Sequence, residues 1–206
     1  MTLGSRFDQV LSAATDGADW AWAELYRDLA PHLLSFLRSQ GCPDPEDCLG
    51  ETFVHLVRGL AGFSGDEAAF RAWSFTVARS RLVDAWRSAS RRPSVPMADP
   101  TNTHVPLRVA GPADEDLLQR SSVDEVLGTL TVDQRMVLVL RVVQQFSLHE
   151  TAGIMGKSEG SVKLLQHRAL ASLRRTLADR APGTRDALPA EPDAISRAGQ
   201  PEPRWR

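Results

Sequence analysis

The stretch Ser147–Arg175, SLHETAGIMGKSEGSVKLLQHRALASLRR, decides the reading of this chain. Ser147 is a good N-cap, and Glu150 three residues on completes a capping box. Ala152, Ile154 and Met155 supply apolar positions for a first short helix. Gly156 suits its C-terminal stop, because glycine tolerates the left-handed conformation there. Ser158 can cap a second helix, with Glu159 beside the positive end of its dipole. At 3.6 residues per turn, Val162, Leu165, Ala169 and Leu173 fall on one side and are expected to face a core. Gly160, Ser161, Lys163, Leu164, His167, Arg168, Arg174 and Arg175 fall on the other side or its flanks.

Two helices, a tight turn and a basic outer face on the second helix have the layout of a DNA-reading helix-turn-helix. In that motif the N-terminal residues of the second helix enter the major groove. Ser161 and Lys163 would sit near base edges or phosphates, and Leu164 near a thymine methyl. The competing reading is a helical hairpin with a solvated basic face.

Working outward, the chain divides by composition. Residues 7–92 are helix-rich, with no two-residue alternation. Residues 93–113 are rich in proline and turn formers and read as a flexible linker. Residues 114–180 are helical again. Residues 181–206 carry five prolines and few apolar side chains, the composition of a disordered tail. That tail could serve interaction or be inert. The expected fold is all-α, with two small helical domains at 1–92 and 114–180.

In the first domain, Trp20, Leu25, Leu29, Leu33, Leu34 and Leu37 have helical spacing, with Pro31 as a kink or junction. Asp44 caps the next helix, Pro45 takes its first position and Asp47 its first turn. Glu46, Asp47 and Glu51 give that helix an acidic edge. The edge reads equally as a protein-docking surface or as ordinary complementarity to the helix dipole. Between Arg71 and Arg92 lie six arginines and one acid, Asp84. Aromatics beside cations suit single-stranded DNA, since bases stack on rings and phosphates pair with arginine. Phe70 and Trp73 read better as core; for Trp86 both readings stand.

Bulk properties bound the rest. A formal net charge of -2 rules out bulk polyanion binding, so any nucleic-acid site needs local segregation of charge. Cys42 and Cys48 are too few for a disulfide framework, and their spacing is not a usual zinc pattern. They read as small partly buried thiols. No long apolar N-terminal core and no apolar run of about 20 residues is present, so a cytoplasmic, non-membrane protein is expected. No metal spacing, phosphate-binding glycine loop or nucleophile elbow occurs. No catalytic residue, metal site or cofactor is therefore expected.

GCPDPEDCLGETFVHLVRGLAGF, followed by FRAWSFTVARSRLVDAWRSASRRP, resembles the second conserved region of the extracytoplasmic-function (ECF) sigma factors, small bacterial members of the sigma-70 family. VDEVLGTLTVDQRMVLVLRVVQQFSLHETAGIMGKSEGSVKLLQHRALASLRR resembles their fourth conserved region. Thr131 and Gln134 form a further capping box there, ahead of Met136, Val137, Leu138 and Leu140. The order and the intervening linker match as well.

The resemblance implies roles. Asp44, Glu46, Asp47, Glu51, Thr52 and Phe53 would dock on the β′ clamp of core RNA polymerase, with the β flap as a second polymerase contact. Arg79, Ser80, Arg81, Trp86 and Arg87 would capture the melted −10 strand. Ser158, Glu159, Gly160, Ser161, Lys163, Leu164, His167 and Arg168 would read the −35 element. An anti-sigma factor is a further implied partner. Four positions depart from the family pattern. Ser80 stands where asparagine is usual, and its hydroxyl cannot make an amide's paired contacts. Leu165-Gln166 replaces Arg-Leu and removes one cation. Gly50 replaces glutamine inside a helix, at a cost of about 1 kcal/mol relative to alanine.

The geometry is consistent with a two-point grip. A linker of about 20 residues reaches roughly 65 Å when extended. Two elements about two helical turns apart are separated by roughly 70 Å, less the size of the domains. Joined binding then multiplies two weak affinities. The reading from another class is a helix-turn-helix regulator that never holds polymerase.

Overall fold

The computed structural model describes residues 3–91 and 126–180. The expected linker 93–113, the adjoining residues to 125 and the expected tail 181–206 lie outside the described residues. The described residues form an all-α structure. A first group holds α1 (Phe7–Thr15), α2 (Asp19–Ser39), α3 (Pro45–Gly59) and α4 (Glu67–Arg91). A second holds α5 (Val132–Leu138), α6 (Leu148–Met155) and α7 (Glu159–Arg180).

The first group closes around α2. Its buried stripe of Leu25, Leu29, Leu33, Phe36 and Leu37 shares a core with Leu56 of α3 and Phe70, Phe75 and Leu82 of α4. These positions follow the 3.6-residue period that marks a core-facing helix. Pro31 sits inside α2 without dividing it, so the helix is one element rather than two joined at a junction. Phe63 stacks on Trp73 at 5.3 Å and packs edge-on to Phe70 at 5.3 Å. Gly59 ends α3 against the same indole: a Cβ there would lie 2.9 Å from Trp73. Phe70 and Trp73 are thus packing residues.

The second group is built by its caps. The Thr131–Gln134 and Ser147–Glu150 capping boxes are both formed, each satisfying two otherwise orphaned N–H groups. Gly156 ends α6 at φ +63, and Ser158 accepts a hydrogen bond from the Ser161 N–H at 3.3 Å. Val162 and Ala169 of α7 are fully buried, while Leu165 and Leu173 are half-buried. Arg135 is wholly buried and donates from Nε to the Leu127 carbonyl at 3.1 Å.

Between α5 and α6 the backbone is irregular. Val139–Val143 form a π-helical turn, and Gln145 then adopts φ +56. A left-handed conformation costs a non-glycine residue roughly 1–2 kcal/mol, so surrounding contacts must hold it. They do. Gln144 and Phe146, on either side, are both buried and both reach the first group. Phe146 packs edge-on against Phe75 at 4.9 Å, and Phe75 in turn against Phe36 at 5.3 Å. The Arg71 guanidinium lies 4.2 Å over the Phe146 ring and donates to the Gln144 backbone carbonyl and side-chain oxygen. Gln144 donates to the His32 carbonyl at 3.5 Å. The two groups are therefore packed together, with α4 lying along α6.

Candidate polymerase and nucleic-acid interfaces

Three surfaces carry the site residues expected from sequence. The first is the leading edge of α3. Asp44 caps the helix, accepting from the Asp47 N–H at 3.0 Å, and Pro45 occupies the first helical position. Glu46, Asp47 and Glu51 are exposed, with Glu46 ion-paired to Arg38. Thr52 is fully buried and donates its hydroxyl to the Cys48 carbonyl at 2.7 Å. Phe53 is buried, with its ring 4.7 Å from that of Tyr26. The outward apolar groups near this edge are Tyr26, Val54 and Val57, each about half exposed. Sequence reasoning missed these three. Their signal was apolar side chains off the helix's buried stripe.

The second surface is α4. Arg79 and Arg81 are half-buried; Ser80 and Arg87 are exposed. Asp84 lies between two cations, 3.2 Å from Arg81 and 3.8 Å from Arg87. Trp86 is only 6% exposed, and its indole N–H donates to the Gly41 carbonyl at 3.3 Å. In this arrangement Trp86 packs the core and pins the α2–α3 turn, leaving no open ring face for a base. Arg71, at the other end of the basic run, is turned toward α6 instead.

The third surface is α7. Ser158, Glu159, Gly160, Ser161, Lys163, Leu164, His167 and Arg168 are all exposed along one side of its N-terminal half. Glu159 pairs with His149 at 3.1 Å, and Ser158 and Ser161 share a hydroxyl hydrogen bond of 2.9 Å. Leu164 is 49% exposed, a large apolar side chain held out from the fold. Gln166 accepts from Arg141 Nε at 3.4 Å, while Leu165 packs inward. Further along, His167, Arg168, Arg174 and Arg175 line an open groove of about 640 Å³ with Gln134 and Ala171. Lys163, Arg168, Arg174 and Arg175 give the exposed side of this capped helix a basic face.

Two family models match the two groups. The model for sigma-70 region 2 matches residues 25–92, and that for sigma-70 region 4 matches residues 126–175. Together they span more than half of the chain, in the family order. The chain is an ECF sigma factor. It is 30% identical over 171 residues to the ECF RNA polymerase sigma factor ShbA of Streptomyces griseus, covering 78% of this chain and 90% of that one. It is 28% identical over 177 residues to BldN of Streptomyces coelicolor, covering 85% of this sigma factor and 67% of the relative.

The fold has solved counterparts. CnrH, solved with the cytosolic domain of CnrY, superposes with a TM-score of 0.63 at 24% identity, covering 84% of this sigma factor and 97% of that chain. RpoE of Bartonella quintana, solved with the anti-sigma factor NepR, gives a TM-score of 0.57 at 21% identity, covering 76% and 96%. Sigma factors are not enzymes; the nucleotidyl transfer belongs to the polymerase. Among the described residues of this sigma factor, no helix is long and apolar enough to cross a membrane.

Proposed function

We propose that this sigma factor grips a promoter at two points while held on core RNA polymerase. The 1–92 domain docks on the β′ clamp through the leading edge of α3 and captures the melted −10 strand with the Arg79–Arg87 face of α4. The 114–180 domain meets the β flap and reads the −35 element with the N-terminal half of α7. The observation that carries this reading is the exposed row Ser161, Lys163, Leu164, His167 and Arg168 on a helix whose opposite side is buried. Such a helix has no use for its cations within the fold.

The acidic edge of α3 supports the docking half. Its carboxylates complement a basic partner, and the half-exposed Tyr26, Val54 and Val57 beside them would add apolar contact. The region 2 and region 4 matches support this reading of both halves. Asp44 and Phe53 act through the shape of this edge, the first as its cap and the second as the ring on which Tyr26 rests. Thr52 belongs to its support. Trp86 contributes to −10 capture by fixing α4 against the α2–α3 turn.

Relatives of this fold were solved with an anti-sigma factor or a cytosolic partner domain. An anti-sigma factor that covers these same surfaces is the corresponding partner for this chain.

The two groups touch through Arg71, Phe75, Gln144 and Phe146, whereas promoter elements roughly 70 Å apart need them separated. Function on this reading includes opening that contact. Reconstitution tests the proposal. The full chain with core polymerase is expected to give run-off transcripts from a matched promoter, and none without core. DNA binding that neither needs nor recruits core polymerase would favour a free-standing regulator and overturn the proposal.

A further inference from the structure

Two thiols meet where α2 hands over to α3. After α2 ends at Ser39, Gly41 turns the chain at φ +71, with its N–H donating to the Arg38 carbonyl at 3.0 Å. Cys42 follows, its N–H donating to Leu37 at 3.1 Å, and Cys48 is the fourth residue of α3. Both are buried, and both are free thiols. Their Sγ atoms lie 2.9 Å apart. Ordinary core packing accounts for the burial, but not for so close an approach of two sulfurs. A disulfide needs about 2.05 Å, so closing the bond asks for roughly 0.9 Å of sulfur movement.

The two thiols are not equivalent. The 2.9 Å hydrogen-bonded contact with Cys48 holds the Cys42 thiol below its ordinary range, against the opposing effects of burial and of the Asp44 and Asp47 carboxylates. The same bond, and then burial, push the Cys48 thiol well above its range. Cys42 is therefore the readier of the two to lose its proton. A pair in which one sulfur is the nucleophile and its neighbour the resolving thiol is the arrangement found in redox-active cysteines. Among the described residues no third histidine, cysteine or carboxylate completes a metal site here.

We propose that Cys42 and Cys48 form a reversible dithiol–disulfide pair, an oxidation site for small hydroperoxides at the root of α3. The Cys42 thiolate attacks the peroxide; an S–O bond forms, the O–O bond breaks, and the leaving alkoxide takes a proton and departs as the alcohol, or as water from hydrogen peroxide. The Cys48 thiol then attacks the sulfenic sulfur. The S–S bond forms, the S–O bond breaks, and hydroxide leaves as water with the Cys48 proton. Two electrons pass from the two thiols to one peroxide, and a dithiol reductant reverses the change by exchange. The turn that follows Cys42 carries the exposed Pro43 and Asp44.

Because so little movement is needed, the register of α3 is kept. The bond ties the first turn of α3 to the end of α2, and the oxidised protein keeps its docking edge. That last consequence rests on reading α3 as the polymerase-facing helix; formation of the bond does not.

The test uses the full chain with hydrogen peroxide, followed by intact-mass measurement, peptide mapping and thermal melting. The expected product has lost two hydrogens, carries a 42–48 link, is reversed by dithiothreitol, and melts roughly 5–10 °C above the reduced form. Cys48→Ser is expected to stop at a sulfenic acid that dimedone traps, with no gain in melting temperature. Both thiols remaining free to alkylate after peroxide would overturn the site, as would oxidation that yields only intermolecular dimers. A link that forms but lowers the melting temperature would overturn closure in register. A linked protein that melts higher yet no longer binds core polymerase would overturn the claim that the docking edge is kept, and not the site.

Discussion

The two basic helices of this sigma factor, α4 and α7, invite comparison because both are read as DNA-facing and they are built differently. The basic side chains of α7 stand free: Lys163 and Arg168 are exposed, with His167 beside them, and none of the three is hydrogen-bonded or ion-paired among the described residues. Those of α4 are engaged. Arg81 and Arg87 share Asp84, Arg79 is half-buried, and Arg71 spans to Gln144 and Phe146 of the other group. On the proposed reading, one helix is ready for duplex DNA as it stands. The other has work within the protein that must be exchanged for work on a strand. On the proposed reading the difference teaches an order: α7 needs no rearrangement, whereas α4 shares its helix with the Arg71 contact to the other group.

The largest expected effect comes from the contact itself. Phe146→Ala removes a buried ring that serves both groups, and should cost roughly 3–5 kcal/mol of stability, read by urea denaturation. A loss below about 1 kcal/mol would mean that Phe146 does not tie the groups together. Next, Lys163→Ala with Arg168→Ala should weaken holoenzyme binding to a matched promoter by roughly ten- to a hundredfold, and lower the salt slope by about two. An unchanged slope would show that α7 does not touch phosphate through these residues. Arg71→Ala leaves the Gln144 carbonyl without its cationic donor and should cost about 1–3 kcal/mol. If the loss instead appeared only on DNA, the α4 side of the comparison would have to be redrawn.

Smaller effects sharpen the same contrast. Gln145→Gly relieves a left-handed residue and should raise stability by roughly 1 kcal/mol, seen as a higher melting temperature. His32 lies at the contact, and its pKa is lowered by burial first and then by neighbouring positive charge, including Arg71. A histidine with a depressed folded value contributes stability that is present above its unfolded value of about 6.5 and is lost as the pH falls. Acidification below that point should therefore loosen the packed form slightly. His32→Gln should flatten the dependence.

Much of this was legible in the sequence, because it is local. The Ser147–Glu150 and Thr131–Gln134 boxes, the Asp44 cap and the Gly156 stop are decided within four residues, and each is formed. The Val162–Ala169 stripe is periodic and is buried. A helical wheel, however, shows a face without naming what will cover it. Arg71 meets Gln144 across 73 positions, and Gln144 meets His32 across 112. Nothing near either residue announces the partner. The π turn at Val139–Val143 and the left-handed Gln145 break helical spacing that looked regular, and they are held by that long-range packing. Trp86 was ambiguous because an amphipathic ring suits core and strand alike; its hydrogen bond to Gly41 comes from tertiary structure. The cysteine pair was legible as two thiols, but the contact between them depends on the Gly41 turn.

The claim that the two groups are packed when free and apart on a promoter is open to one direct measurement. Fluorophores placed at Ser88 of α4 and Ala178 of α7, by non-cysteine chemistry that leaves Cys42 and Cys48 untouched, would report their separation in the full chain. Efficient energy transfer is expected for the free protein, falling to near zero when core polymerase and a promoter with both elements are added. Transfer that stays unchanged on forming a transcriptionally active complex would contradict the account.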